Sequence, residues 1–194
     1  MLDLPVPGVP DGERGMAWLR ARVARFSEGS DHARRRALVE RELAAIDPAE
    51  LRWADGHHVE SLAQAMGLTV AVADVQAVAA CYQPHIPVTE QADAAIDRLI
   101  AACGGVPDEL TANRIGILVQ ACDATAALIE GRNPPVPFTR RVDGDGNVIE
   151  VSLAGSPFGE GRHACPGQAH ALALARTRIV TLDPGLGDEL PSDG

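Results

Sequence analysis

The 194-residue sequence has few aromatic residues and no long uncharged apolar run. Aromatic side chains make up only 3% of the chain, so its core has to be built from Ala, Leu, Val and Ile, which pack helices closely. No stretch of about 18 residues is both apolar and uncharged, which argues against a membrane-spanning helix. The first residues lack a basic segment followed by an apolar run, so we predict no signal peptide and a cytoplasmic location.

Positive charge is also scarce, because the sequence has 17 Lys and Arg residues but 27 Asp and Glu residues, which gives a formal net charge of −10. Binding to a phosphate backbone needs a basic face, so the balance argues against nucleic acid as a partner. The basic residues cluster at positions 34–36 and at Arg140 and Arg141. Each cluster either meets a small anionic group or forms a solvated surface.

The four cysteines show no C-x-x-C spacing. Cys81, Cys103 and Cys122 lie in apolar helical patterns and are predicted to be reduced core residues. Cys165 instead lies in a glycine-rich loop just before a helix start, where free N–H groups and the helix dipole favour a thiolate. One thiolate cannot close a zinc site, so it suits a metal that brings its own ligands, namely haem. The alternative is a buried structural cysteine.

Apolar periodicity through most of the chain predicts a mainly α fold with one small β-hairpin. We predict Ser30 and Asp31 as the N-cap of a helix through residue 45, and Thr89 as the N-cap of a helix over 90–102. Further helices are predicted at residues 15–26, 59–66, 70–82, 108–130 and 169–180, and the hairpin at 142–151. His57 and His58 point to different helix faces and are predicted to lie at the surface.

Residues 1–182 are predicted to form a single domain, and residues 183–194 an acidic disordered tail. The stretch 108–130 is apolar almost all round and is expected to run through the core. Within it, Asp123 is costly unless it is paired or functional. A buried structural acid is the alternative to a catalytic one.

The segment Phe158-Gly-x-Gly-x-His-x-Cys-x-Gly167 resembles the cysteine loop of the cytochrome P450 family of haem-thiolate monooxygenases. This resemblance implies a haem b cofactor with Cys165 as the axial ligand of the iron. It also implies that the cofactor contacts Phe158, Gly159, His163 and Gly167. The expected fold is then a truncated P450-like helical core that binds haem.

Three other segments resemble the same family. Residues 25–39 resemble its propionate-binding helix, which implies that His32 and Arg36 bind haem carboxylates, although their four-residue spacing also suits a surface pair. Residues 120–125 resemble the distal helix, with Ala121 against the haem and Asp123 and Thr125 as catalytic residues. The position where the family usually has its proton-delivering threonine is Ala124. A Pro-Pro-Val segment followed by two arginines implies a further propionate ligand, Arg141.

Members of that family are about twice as long, so the resemblance implies that most of their β-sheet and their substrate-capping loops are missing. No Glu in the chain is followed three residues later by Arg, so the Glu-x-x-Arg pair that braces the cysteine loop in the family is absent. Another contact must then brace the loop. The loss of the β-sheet and the capping loops would also leave apolar surface uncovered, and we predict that a homodimer covers it.

The function implied is that of a compact haem-thiolate enzyme, a monooxygenase or peroxygenase that oxidises a small organic molecule in bacterial-type secondary metabolism. Its electrons would come from a redox partner such as a ferredoxin, from a reductase or from peroxide. One alternative is a haem-binding protein with a non-oxidative catalytic or binding role. The other is a haem-free partner protein of a longer relative.

Overall fold

The computed structural model describes residues 1–53 and 56–182, with side chains described as far as residue 176. Within these residues the fold is mainly α with one small antiparallel hairpin, as the sequence predicts. The elements are α1 (Gly15–Arg22), α2 (Gly29–Ala44), α3 (His58–Ala65), α4 (Val72–Ala80), α5 (Glu90–Ala102), α6 (Glu109–Ile129), β1 (Phe138–Val142), β2 (Val148–Ser152) and α7 (Gln168–Leu182), with 3-10 turns at Ala24–Phe26, Pro48–Glu50 and Gly161–His163. The predicted tail, 183–194, lies outside the described residues.

Two helix starts follow directly from local capping chemistry. The Thr89 hydroxyl accepts a hydrogen bond from the Ala92 N–H at the start of α5, and the Asp108 carboxylate accepts one from the Thr111 N–H at the start of α6. Each bond satisfies one of the backbone donors that a helix leaves free in its first turn. The predicted bounds of α5 are therefore confirmed.

Two other helix predictions are wrong. The helix that begins at Gly15 ends at Arg22, because Val23 is extended with φ −86° and ψ 150°, and a separate 3-10 turn follows. The N-cap of α2 is Glu28 rather than Ser30 or Asp31. The Glu28 side chain makes no capping bond, because it is engaged with distant residues that are described below.

The long helix α6 is the centre of the fold and packs against all six other helices. Its first two-thirds is buried nearly all round, from Thr111 to Val119, as expected of a core helix. The alternative of a buried structural acid at Asp123 is wrong, since Gln120 and Asp123 are both exposed where α6 borders an open cavity.

The hairpin pairs β1 with β2 in the register Phe138 to Ser152 and Val142 to Val148. The alternation of side chains turns Thr139, Arg141 and Val151 inward and leaves Phe138 and Val148 exposed. The N-terminal segment crosses beside it, where the Val142 N–H donates to the Pro5 carbonyl at 2.8 Å.

Cys81, Cys103 and Cys122 are free thiols buried in the helical core, as predicted. The core around them is otherwise built largely from Ala, Val, Leu and Ile side chains. None of the helices in the described part of the chain combines the length and apolar character that a membrane span needs.

Candidate functional site

A cavity of about 340 Å³ lies between α2, α6, the hairpin and the loop that precedes α7. Cavities of a few hundred Å³ are typical of small-molecule and cofactor sites. All eleven residues singled out from the sequence line it, namely His32, Arg36, Ala121, Asp123, Thr125, Arg141, Phe158, Gly159, His163, Cys165 and Gly167. Four separate segments, 32–36, 121–125, Arg141 and 158–167, thus converge on one site.

The cysteine loop is a series of tight turns that presents Cys165 to the cavity. Gly159 and Gly161 have φ values of +71° and +64°, a left-handed conformation that strains residues with a Cβ. The Cys165 N–H donates to the Phe158 carbonyl at 2.8 Å, which closes the loop. Half-buried Phe158 adds a flat apolar surface beside the thiol.

The protonation of Cys165 differs from the sequence-based expectation. Although the residue is exposed at the cavity opening, the surrounding protein removes enough water to raise the pKa of its thiol. The Gly167 N–H and the positive charge of Arg36 lower that pKa, but they do not cancel the effect of burial. The loop therefore favours the thiol until a metal displaces the proton.

Glu28 braces the cysteine loop from the residue before α2. One carboxylate oxygen accepts from the Val6 N–H at 2.7 Å and lies 3.1 Å from His163 Nε2, and the other lies 3.1 Å from Arg162 Nη2. Burial raises the pKa of Glu28, but these three contacts outweigh it and the net shift is downward. The Arg36 guanidinium also donates to the Ala164 carbonyl. These contacts hold the loop in the absence of a Glu-x-x-Arg pair.

His32 and His163 form a neutral imidazole pair at the cavity wall, with ring centroids 4.2 Å apart. Burial, with the charge of Arg36 in addition, lowers the pKa of His32. Burial and the neighbouring His32 lower the pKa of His163 to about 4. A neutral His163 that faces the Glu28 carboxylate has its proton on Nε2 and donates it there.

Three arginines line the cavity, and they differ in their partners. Arg36 forms an ion pair with Glu40 at 2.7 Å on its own helix. Arg25 and Arg141 have no carboxylate within 4 Å among the described residues. Both donate to the Thr139 hydroxyl, at 3.1 Å and 2.7 Å. Uncompensated buried cations are costly, so this wall of the cavity suits an anionic group.

Helix α6 supplies another wall, with the small residues Ala121 and Ala124 and the side chains of Asp123 and Thr125. The Thr125 hydroxyl is buried and makes no hydrogen bond within the described chain. His58 supports this stretch, because its Nε2 lies 3.1 Å and 3.0 Å from the carbonyl oxygens of Ala121 and Cys122. The prediction that His58 lies at the surface is wrong, since it is only 2% exposed.

The side chains fit haem better than a metal bound by protein ligands alone. The described residues contain no group of three His, Cys, Asp or Glu side chains that could hold a metal ion. The cavity instead offers one sulfur at Cys165, a flat ring at Phe158, close approach along the alanines of α6, and cationic side chains of which Arg141 has no carboxylate partner in the described chain. A planar apolar group that carries its own metal and two carboxylates matches this set.

No protein-family model, curated protein or solved structure matches this chain.

Several cavity or supporting residues had no signal in the sequence. Glu28, Arg25 and Tyr82 belong to no spacing pattern, and each acts through residues far away in the chain. His58 stands beside a second histidine at a helix start, which is typical of an exposed pair. His58 is buried because α6 packs over it, and the residues next to it in the sequence do not indicate that contact.

Proposed function

We propose that this protein is a compact haem-thiolate protein, similar to cytochromes P450, that oxidises a small organic molecule. The observation that carries the proposal is the convergence of the eleven residues on one cavity, with a single accessible cysteine in its wall. Residues 32–36 are separated by about 85 residues from the next contributing segment, 121–125, and by about 120 residues from the cysteine loop, so local sequence patterning alone does not explain the convergence.

When bound, haem with a thiolate ligand activates oxygen or peroxide, because the electron-rich sulfur favours cleavage of the O–O bond. In this chain Cys165 would hold the iron. Arg36, Arg141, His32 and His163 would hold the haem carboxylates, and binding there would compensate the unpaired charge of Arg141.

The α6 residues would control water and protons in the remaining space. Ala121 and Ala124 have small side chains that leave space in the cavity beside α6. The buried Thr125 hydroxyl, which has no hydrogen-bond partner in the described chain, can orient a water or a substrate group there. The exposed Asp123 carboxylate can accept hydrogen bonds from water in the cavity. Because the cavity is open at Asp123, solvent protons reach it without a buried relay.

The test is an absorption spectrum of the purified protein with haem, oxidised and then reduced under carbon monoxide. We expect the red-shifted Soret band of thiolate ligation in the wild type and in the control Cys81→Ser, whose residue lies in the core outside the cavity. Cys165→Ser should lose the band. An unchanged spectrum in Cys165→Ser would show that the iron has another ligand.

A non-oxidative haem-binding role is the second candidate. The open wall at Asp123 and the alanine at position 124 favour it, because little protects a reactive species from water there. Haem-loaded protein that shows the thiolate spectrum but does not oxidise small aromatic or alkyl substrates with peroxide would support it. A chain that takes up no haem would instead point to the haem-free partner role.

A further inference from the structure

Tyr82 has an unusual position at the end of the cavity that lies near the first half of α6. The residue is 4% exposed and lines the cavity, but its hydroxyl oxygen has no hydrogen-bond partner among the described residues. A buried hydroxyl without a partner costs free energy, so such groups in proteins call for an explanation. A bound ligand that accepts a hydrogen bond is one such explanation.

The Tyr82 ring and the backbone around it are packed against two neighbouring side chains. Its centroid packs 5.1 Å from that of Phe26. Arg20 binds the backbone on both sides of it, with donors to the carbonyls of Tyr82 at 3.2 Å and Gln83 at 2.9 Å and a further bond to Cys81. Side chains that bind ligands are commonly held in place in this way by the residues around them.

A second donor, the Arg25 guanidinium, lines the same cavity. Its protein partners are the neutral Thr139 hydroxyl and the face of the Phe26 ring, 5.6 Å from the guanidinium carbon, and no carboxylate is within 4 Å in the described chain. Burial raises the pKa of Tyr82, so its phenol stays protonated and can donate a hydrogen bond. The pair therefore offers one positive charge and one neutral O–H.

Gly116 on α6 is closely packed beside the Tyr82 hydroxyl, because a Cβ there would lie only 3.1 Å from Val23 Cγ1. A Cβ at that position would lie 3.7 Å from the Tyr82 hydroxyl oxygen and 3.8 Å from Gln120 Nε2, so both polar groups border the same glycine. Gly116 precedes Asp123 by two helical turns, or about 10 Å along the axis. If one end of a small molecule is bound beside Gly116, the rest of the molecule can extend along α6 toward Asp123.

We propose that Tyr82 and Arg25 form a subsite that binds the carboxylate of the protein's small-molecule ligand, with Gln120 at its edge. One cation and one neutral donor match a monoanion with two acceptor oxygens. This inference rests on the proposed function, since it assigns the substrate class of the same cavity. The substrate is then a small organic acid whose carbon chain or ring extends along α6.

The test compares carboxylic acids with their methyl esters, which have nearly the same shape but no charge. Octanoate and phenylacetate, and the two esters, are titrated by calorimetry into the full chain with and without haem. We expect each acid to bind about tenfold more tightly than its ester, the factor typical of a charge-assisted hydrogen bond. Tyr82→Phe should weaken acid binding about tenfold and leave ester binding unchanged. Arg25→Gln should remove the preference, and the exposed control Arg132→Gln should keep it.

The thermal midpoint of Tyr82→Phe without ligand gives a second readout. It should rise by about 3 °C, because the variant no longer buries an unpaired hydroxyl. A fall would mean that the hydroxyl has a structural role, and it would overturn the proposal.

Equal affinity for acids and esters, or no binding of either, would also overturn it. So would an Arg25→Gln variant that loses haem but keeps the acid preference, because Arg25 would then serve the haem carboxylates. If the chain takes up no haem but still prefers acids through Tyr82, the proposed haem function fails and the carboxylate subsite stands.

Discussion

The brace formed by Glu28 gives the sharpest test of how this site is held together. Glu28→Ala removes the acceptor of the Val6 N–H, of His163 Nε2 and of Arg162. Val6 is 4% exposed, so its N–H would lose its partner away from water. We expect a loss of about 2 kcal/mol, of which most comes from the unpaired N–H and less than 1 kcal/mol from the exposed Arg162 pair.

Amide hydrogen exchange of residues 161–165 is the most direct assay, since it reports local opening of the loop. A 2 kcal/mol loss corresponds to roughly 30-fold faster exchange. Glu28→Gln keeps the acceptor for Val6 and should lose only about 1 kcal/mol. Glu130→Ala is the matched control, because it breaks an ion pair with Arg132 in which both side chains are more than 60% exposed.

Equal exchange in Glu28→Ala and Glu130→Ala would refute the assignment of Glu28 as the brace. So would faster exchange that spreads evenly through α6, because it would indicate a global loss of stability rather than a local one. If the brace matters for cofactor binding, Glu28→Ala should also release added haem faster than the wild type.

Two further predictions concern acid stability and assembly. Hydrogen bonds from Arg34 and Arg35 lower the pKa of Glu109 from about 4.5 to about 2, against the effect of partial burial. This carboxylate therefore stabilises the fold above pH 4.5, and the contribution disappears as the pH falls through 2. After allowance for solvent screening it amounts to about 1 kcal/mol, so the urea midpoints of Glu109→Gln and the wild type should differ at pH 6 and converge near pH 2. Phe138 and Val148 are 53% and 54% exposed on the outer face of the hairpin, so we expect this face to form a dimer interface. Light scattering should show a dimer that Val148→Lys weakens, whereas Val106→Lys, at an exposed residue outside the hairpin, should leave it unchanged. A wild-type monomer would contradict this prediction.

The elements that the sequence predicts well are those whose signal is local. Thr89 and Asp108 cap helices with their own side chains, and the glycines beside Cys165 predict the loop that precedes α7. The periodicity of α6 also predicts its place at the centre of the core.

The predictions that fail depend on partners far away in the chain. The N-cap of α2 is misplaced because Glu28, which precedes it, binds His163 across 135 residues. His58 is buried because α6 covers it, and its acceptors are 63 and 64 residues away. Asp123 lies on an apolar helix but is exposed, because a cavity opens beside it. No local pattern contains these contacts.

The residues that brace the cysteine loop lie far from it in the sequence, so the order of synthesis determines when the site can form. Arg36 binds the carbonyl of Ala164 over 128 residues, and Glu28 binds His163 over 135. At the usual rate of translation these partners leave the ribosome roughly 7 to 27 s apart, long enough for α1 to α6 to form first. During that interval the nascent chain has His32 and Arg36 but no thiol loop to face them. The cavity is thus completed only after the cysteine loop has been synthesised, and its ligand has to be captured after that point.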